Sequence, residues 1–155
     1  MLKYLCYESL IFHEVDMIVR NCGGGIVFRG DKVLLVCNDK QEWGFPKGVI
    51  RSSESSKINE LVSRRIKEET GITASVLAPC GKTSYEFYSI KRCKPVHNNI
   101  AWFVMSAKEG DIVITPETGT VNAKFESVEK ALNRITYSQD KALLMMAYQK
   151  YRELA

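Results

Sequence analysis

The chain lacks any apolar run approaching the length needed to cross a bilayer, and it has no internal repeat, low-complexity tract or long linker. At 155 residues, the simplest organisation is one domain over 1–155, large enough to bury a real core. Histidine is scarce, with only His13 and His97, and none of the five cysteines (Cys6, Cys22, Cys37, Cys80, Cys93) stands in a C-x-x-C pair. A zinc site is therefore not expected. The odd cysteine count favours free thiols in a reducing cytoplasm over a disulfide framework. Charge of one sign is also in short supply. The net charge of +4 is too small an excess to argue for duplex DNA, but it suits an anionic small molecule, because a local basic patch raises encounter rates with phosphates. The first 21 residues are fairly apolar, yet Glu8, Glu14 and Asp16 interrupt them and no small-residue cleavage site follows. They are expected to be an N-terminal extension rather than a signal peptide.

What is present is a mixed strand and helix pattern. Gly23-Gly24-Gly25 reads as punctuation before two strands, Ile26 to Phe28 and Lys32 to Cys37, joined at Arg29-Gly30-Asp31. Asn38 to Gln41 is loop-like, and Pro46 keeps Trp43 to Phe45 extended. Ser55 to Thr70 reads as a helix, with Ile58, Leu61, Val62 and Ile66 on one face and Gly71 as its stop. Strands are expected at Thr73 to Leu77, Ser84 to Arg92, Ile100 to Ser106 and Val121 to Glu126. Ser127 and Ser138 are placed to cap two further helices, the second carrying an apolar stripe of Leu144, Ala147, Tyr148 and Tyr151. This order predicts an α+β sandwich, with a mixed sheet flanked by helices.

The charged face of the first helix carries the chemistry. At about 100° per residue, Glu69 stays near the apolar stripe and Glu68 flanks it. Residues 65, 68 and 69 converge at i, i+3 and i+4. Carboxylates in that arrangement can ligate a hard cation such as magnesium. The plainer alternative is a solvated face with weak ion pairs.

The wider context favours the first reading. Gly48, Glu54, Arg64, Ile66, Glu68, Glu69, Gly71 and Ile72, preceded by Trp43-Gly44-Phe45-Pro46-Lys47, resemble the Nudix box of the MutT-like Nudix hydrolases, and the broader resemblance runs from about Gly23 to Ala147. It implies a Nudix fold and a pyrophosphohydrolase acting on a nucleoside diphosphate linked to some group X. The chemistry implied is attack of water on phosphorus with Mg²⁺ or Mn²⁺. Glu68, Glu69 and the Gly48 carbonyl would join the metal shell, Arg64 would orient a carboxylate, and Lys47, in a Pro46-Lys47-Gly48 turn, would meet a phosphate. There are two departures from the pattern. The interval from Glu54 to Arg64 is two residues longer than usual, and the glutamate expected directly after Arg64 is Arg65. A unit charge about 5 Å from a divalent ion is worth roughly 6 kcal/mol at an effective dielectric of about 20, so a change of sign there opposes metal binding. Arg65 could instead contact substrate phosphates.

Tyr85, Phe87 and Tyr88 lie on one expected strand, and Tyr85, Tyr88 and Tyr137 are the expected nucleobase contacts, with core packing as the plainer reading. The basic loop Lys91 to Lys94 is long enough to overhang a site. His97 to Phe103 resembles a strand of diadenosine polyphosphate hydrolases, a Nudix branch, with Asn98 where a lysine often stands, and Tyr137 resembles a tyrosine near that branch's nucleotide. Glu117 could supply a further carboxylate. The implied ligand is a nucleoside or dinucleoside polyphosphate, ahead of an inositol pyrophosphate or capped RNA, with no membrane or duplex DNA partner. A Nudix domain that binds a nucleotide, an RNA end or a protein without turnover is the alternative, and Arg65 favours it.

Overall fold

In the computed structural model, residues 16–51 and 57–154 are described. Glu54 and the expected helix start at Ser55 lie outside them, as do Cys6 and His13. The strands are β1 (Ile18–Arg29), β2 (Lys32–Asn38), β3 (Trp43–Gly44), β4 (Lys47–Val49), β5 (Ala74–Ser89), β6 (Lys94–Ala107) and β7 (Thr120–Ser127). The helices are α1 (Ile58–Thr70), α2 (Val128–Arg134) and α3 (Ser138–Leu154). One sheet holds all seven strands in the order β3-β2-β1-β6-β5, with β4 paired to β1 and β7 to β2. Among the described residues only β1 and β6 run parallel; the other pairs are antiparallel, which makes the sheet mixed as expected.

The sheet separates two apolar clusters. On one face, Ile26, Phe28, Ile100 and Val104 pack with Leu143, Leu144 and Ala147 of α3. On the other, Val27, Phe103 and Met105 pack with Val62 and Ile66 of α1. Val62 and Ile66 of the expected α1 stripe and Leu144 and Ala147 of the expected α3 stripe are buried, while Ile58, Leu61, Tyr148 and Tyr151 are half-buried. Gly71 ends α1 in the left-handed conformation at φ 78°, its N–H donating to the Lys67 carbonyl, and the Ser127 hydroxyl accepts from Lys130 N to start α2. Helix α3 begins on Ser138 itself.

Three expectations change. Gly23-Gly24-Gly25 is not punctuation; it lies inside β1, which is 12 residues long. A Cβ at Gly24 would sit 2.4 Å from the Trp102 ring, and one at Gly25 2.4 Å from Met105 Sδ. These glycines let neighbouring side chains close over the strand. The two strands expected at Thr73 to Leu77 and Ser84 to Arg92 are one strand, β5, whose register shifts between Val76 and Ala78 and again between Pro79 and Lys82. Leu77 and Cys80-Gly81 are the irregular positions there, and the chain continues as one strand. Lys47–Gly48, expected in a turn, belongs to β4 and pairs with Gly23–Gly24 of β1.

The pairing of β1 positions the site. Its middle, Cys22 to Gly24, pairs with β4, whereas its end, Phe28 and Arg29, pairs with β2. Between these regions Gly25 N donates to the Pro46 carbonyl at 3.1 Å, and a pocket lined by residues of β2, β3 and β4 also takes in Glu69 near the end of α1. Cys22, Cys37 and Cys80 are buried free thiols and Cys93 an exposed one. No helix among the described residues is long and apolar enough to cross a membrane.

Candidate active site

The apolar stripe of α1 carries Glu69 inward with it. Val62 and Ile66 are buried, and Glu69, three residues past Ile66, is only 6% exposed. One turn earlier, Arg65 turns its guanidinium toward this carboxylate, with Nη2 3.6 Å from Oε2. Its stem lies against Gly48 of β4, where a Cβ would meet Arg65 Cγ and Cδ at 3.0 Å. Glycine at 48 therefore makes room for the arginine. Burial pushes the Glu69 carboxyl up, while the Thr120 hydroxyl, Arg65 and Lys47 pull it back. Arg65 Nε and Glu69 Oε1 are both buried without a hydrogen-bond partner among the described residues.

The rest of the expected cluster does not converge. Arg64 and Glu68 are solvent-exposed, and neither is ion-paired with another described residue. Glu117 sits in a 3-10 turn, Pro116–Thr118, and is exposed. No group of three His, Cys, Asp or Glu side chains among the described residues is close enough to hold a metal ion. The resemblance implies a divalent cation held by Glu68, Glu69 and the Gly48 carbonyl, with a further glutamate expected where Arg65 stands. The donors described do not fit one, because Glu68 is exposed and a guanidinium lies beside the single buried carboxylate.

Beyond this corner lies a cleft of about 600 Å³, bounded by Tyr85, Phe87, Trp102, Tyr137, Asp140 and Lys47. It shares Lys47, Glu42, Tyr137 and Asp140 with a smaller pocket of about 170 Å³ that reaches Glu69 and Thr120. Strand parity sets the aromatic wall. Tyr85 and Phe87 project from the face of β5 that packs toward α3, their ring centroids 6.1 Å apart. Arg20 lies 5.7 Å over the Phe87 ring while its Nε donates to Asn98 Oδ1 at 2.9 Å. Tyr88 has the opposite parity, is 61% exposed, and takes no part in the cleft, which corrects its expected place among the base contacts. The 91–94 loop does not overhang the cleft; Lys94 pairs with Asp16 at 2.8 Å. His97 is held on the α1 side between Glu86 and Asn99.

Sequence reasoning missed two acids. Glu42 accepts from the Tyr137 hydroxyl and from Asn38 Nδ2, and those bonds hold its carboxyl below the usual range. Asp140 reaches toward Gly44, and its burial raises its carboxyl while Lys47 lowers it. The signal for Asp140 was an acid in the first turn of a helix, which on its face says no more than helix-dipole complementarity.

This arrangement agrees with comparisons to known proteins. The NUDIX domain family matches residues 19–147. The chain belongs to the Nudix family, and its relatives are MutT-like. A protein of Mycobacterium tuberculosis (strain CDC 1551 / Oshkosh) described as mutator protein MutT4 is 27% identical over 105 residues, covering 68% of this chain and 40% of that one. This chain thus spans well under half of that relative's length. The MutT protein of Methanosarcina mazei superposes with a TM-score of 0.67 at 17% identity, covering 90% of this chain and 99% of that one. An Ap4A hydrolase of C. elegans, solved as a binary complex, gives a TM-score of 0.65 at 19% identity, covering 86% and 98%.

Proposed function

We propose that this chain is a Nudix domain whose cleft binds a nucleoside or dinucleoside polyphosphate, and that its hydrolysis of that ligand is slow or absent with Arg65 in place. The observation that carries this reading is the continuity of the cleft. Tyr85 and Phe87 line one end, Tyr137 and Lys47 line both parts, and Glu69 and Thr120 line the other end. Such a channel suits a base stacked at the aromatic end and a polyphosphate laid along Lys47. Its likeness to an Ap4A hydrolase supports the same ligand class. The buried free thiols suit a cytoplasmic setting.

Brisk hydrolysis with Mg²⁺ or Mn²⁺ is the second reading. Family membership and the adjacency of Glu68 and Glu69 favour it, with the Gly48 carbonyl and Arg64 in the roles the resemblance implies. A panel including ATP and diadenosine tetraphosphate separates the two. Chemical-shift changes at Tyr85 and Tyr137 with slow release of mononucleotide support the first. Rapid metal-dependent release that a Glu68→Gln/Glu69→Gln double variant abolishes establishes the second. No response to any nucleotide refutes both.

A further inference from the structure

Two acids, Glu42 and Asp140, line both the larger and the smaller part of the cleft, and they differ in what they already hold. Glu42 accepts from the Tyr137 hydroxyl and from Asn38 Nδ2. Asp140 has no side-chain hydrogen bond or ion pair with another described residue. We propose that the Asp140 carboxylate accepts hydrogen bonds from the ribose hydroxyls of a bound nucleotide, and so makes the cleft selective for ribonucleotides over deoxyribonucleotides. This rests on the reading of the cleft as a nucleotide site.

The order of groups along the cleft matches the order of groups in a nucleotide. Tyr85 and Phe87 line only the larger part, where a base would stack, while Lys47 lines both parts and would meet the phosphates. Ribose joins base to phosphate, so it falls where the two parts meet, and Asp140 stands there. The carboxylate rests against β3 at a position without a side chain, since a Cβ at Gly44 would sit 3.3 Å from Asp140 Oδ2. It is half-buried, and the lost hydration is offset in part by the charge of Lys47. A partly desolvated acceptor without a partner gains from a ligand that brings donors to it. An ionised carboxyl accepts on two oxygens and donates nothing, which matches the paired hydroxyls of a ribose. The same charge repels phosphate oxygens, so Asp140 favours the nucleoside part of the ligand and opposes the polyphosphate part.

The test is calorimetric titration of the whole chain in Mg²⁺ with ATP, 2′-deoxy-ATP, 3′-deoxy-ATP, inosine triphosphate and inorganic tripolyphosphate, for wild type, Asp140→Asn and Asp140→Ala. Wild type should bind ATP at least tenfold more tightly than 2′-deoxy-ATP, 3′-deoxy-ATP or both, the equivalent of about 1.4 kcal/mol. Asp140→Ala should reduce that preference to less than about threefold, with Asp140→Asn in between. Both variants should bind tripolyphosphate as well as wild type or better, a gain that a merely structural residue would not give. Equal binding of ATP and both deoxy analogues by wild type overturns the proposal and leaves the nucleotide reading standing. A preference for ATP over inosine triphosphate that depends on Asp140, without a ribose preference, overturns it too and assigns the carboxylate to the base. A ribose preference that survives Asp140→Ala overturns it, as does an equal loss of ATP and tripolyphosphate in that variant. No binding of ATP by wild type overturns the nucleotide reading itself. Melting curves establish that each variant is folded, and the isosteric Asp140→Asn keeps the comparison valid should Asp140→Ala fail to fold.

Discussion

At the scale of single residues, position 65 decides the character of the site. Arg65→Glu would set a second carboxylate one turn from Glu69, at the spacing where like charges repel. The variant should therefore melt lower than wild type in chelator and recover on addition of Mn²⁺, a metal response not expected of wild type. It should also raise metal-dependent release of mononucleotide by at least roughly tenfold, the rate equivalent of ~1.4 kcal/mol in the barrier. If wild type instead turns over briskly and Arg65→Glu is slower, Arg65 serves the reaction as it stands. Gly24 makes a structural demand of a different kind. Its added Cβ would fall 2.4 Å from Trp102 Cζ3 and 3.0 Å from the Pro46 carbonyl oxygen, which is backbone and cannot swing aside. Gly24→Ala should cost about 1–3 kcal/mol by overpacking and lower the melting temperature by about 2–4 °C per kcal/mol. A melting temperature equal to wild type would show that β1 can shift to relieve the contact.

At the scale of elements, the start of α3 is tied to the loop between β2 and β3. The Tyr137 hydroxyl donates to Glu42, Asn38 Oδ1 accepts from Lys40 N and Glu42 N, and Thr136 Oγ1 accepts from Trp43 N at 2.8 Å. The Glu42 carboxyl is lowered from 4.5, with Tyr137 as the first cause, and the Tyr137 phenol is raised from 10.0 by Glu42. The depressed acid stabilises the fold fully above pH 4.5 and loses that contribution as pH falls through its folded value. The raised phenol stabilises it fully below pH 10.0 and loses that contribution as pH rises through its folded value. The stability gap between wild type and Tyr137→Phe should therefore be widest between these limits and close at both ends. Since Tyr137 is 52% exposed, solvent screening keeps the gap below about 1 kcal/mol. Urea midpoints at several pH values measure it, and a gap independent of pH would mean the bond does not persist in solution. Helix faces were the most legible elements in the sequence, because a 3.6-residue period is a local property that Ile58, Val62, Ile66 and Leu144 state directly. The glycines of β1 and the bulges of β5 were not legible, because their reasons are Trp102, Met105 and a partner strand far along the chain. The parity that separates Tyr85 from Tyr88 was open for the same reason. Position 65 could be read as a departure, but the direction of its guanidinium depends on Gly48 of β4, a contact that no local pattern records.

At the scale of the whole molecule, the fold class could be read from element order, since strands, a helix, more strands and two helices leave few ways to cover a mixed sheet. What could not be read was the division of β1 between β4 and β2, because strand pairing is set by contacts distant in sequence. That sheet also divides the stability of the protein. Leu144 on α3 and Ile66 on α1 are both 0% exposed, but they belong to clusters on opposite faces that share no residue. Truncating either to alanine should cost about 2–5 kcal/mol, the transfer of the lost methyl groups plus the cavity they leave. Because the two side chains have no common neighbours in the core, the costs should add to within about 0.5 kcal/mol. A typical domain is stable by only about 5–15 kcal/mol, so Leu144→Ala/Ile66→Ala should be largely unfolded at 37 °C while each single variant remains folded. Urea unfolding of the two single variants at 25 °C, and of the double variant in a stabilising osmolyte, checks the sum. A double variant markedly more stable than the sum predicts would mean that the two faces communicate through the sheet, and that α1, with Arg65 and Glu69 on it, is held in place partly by α3.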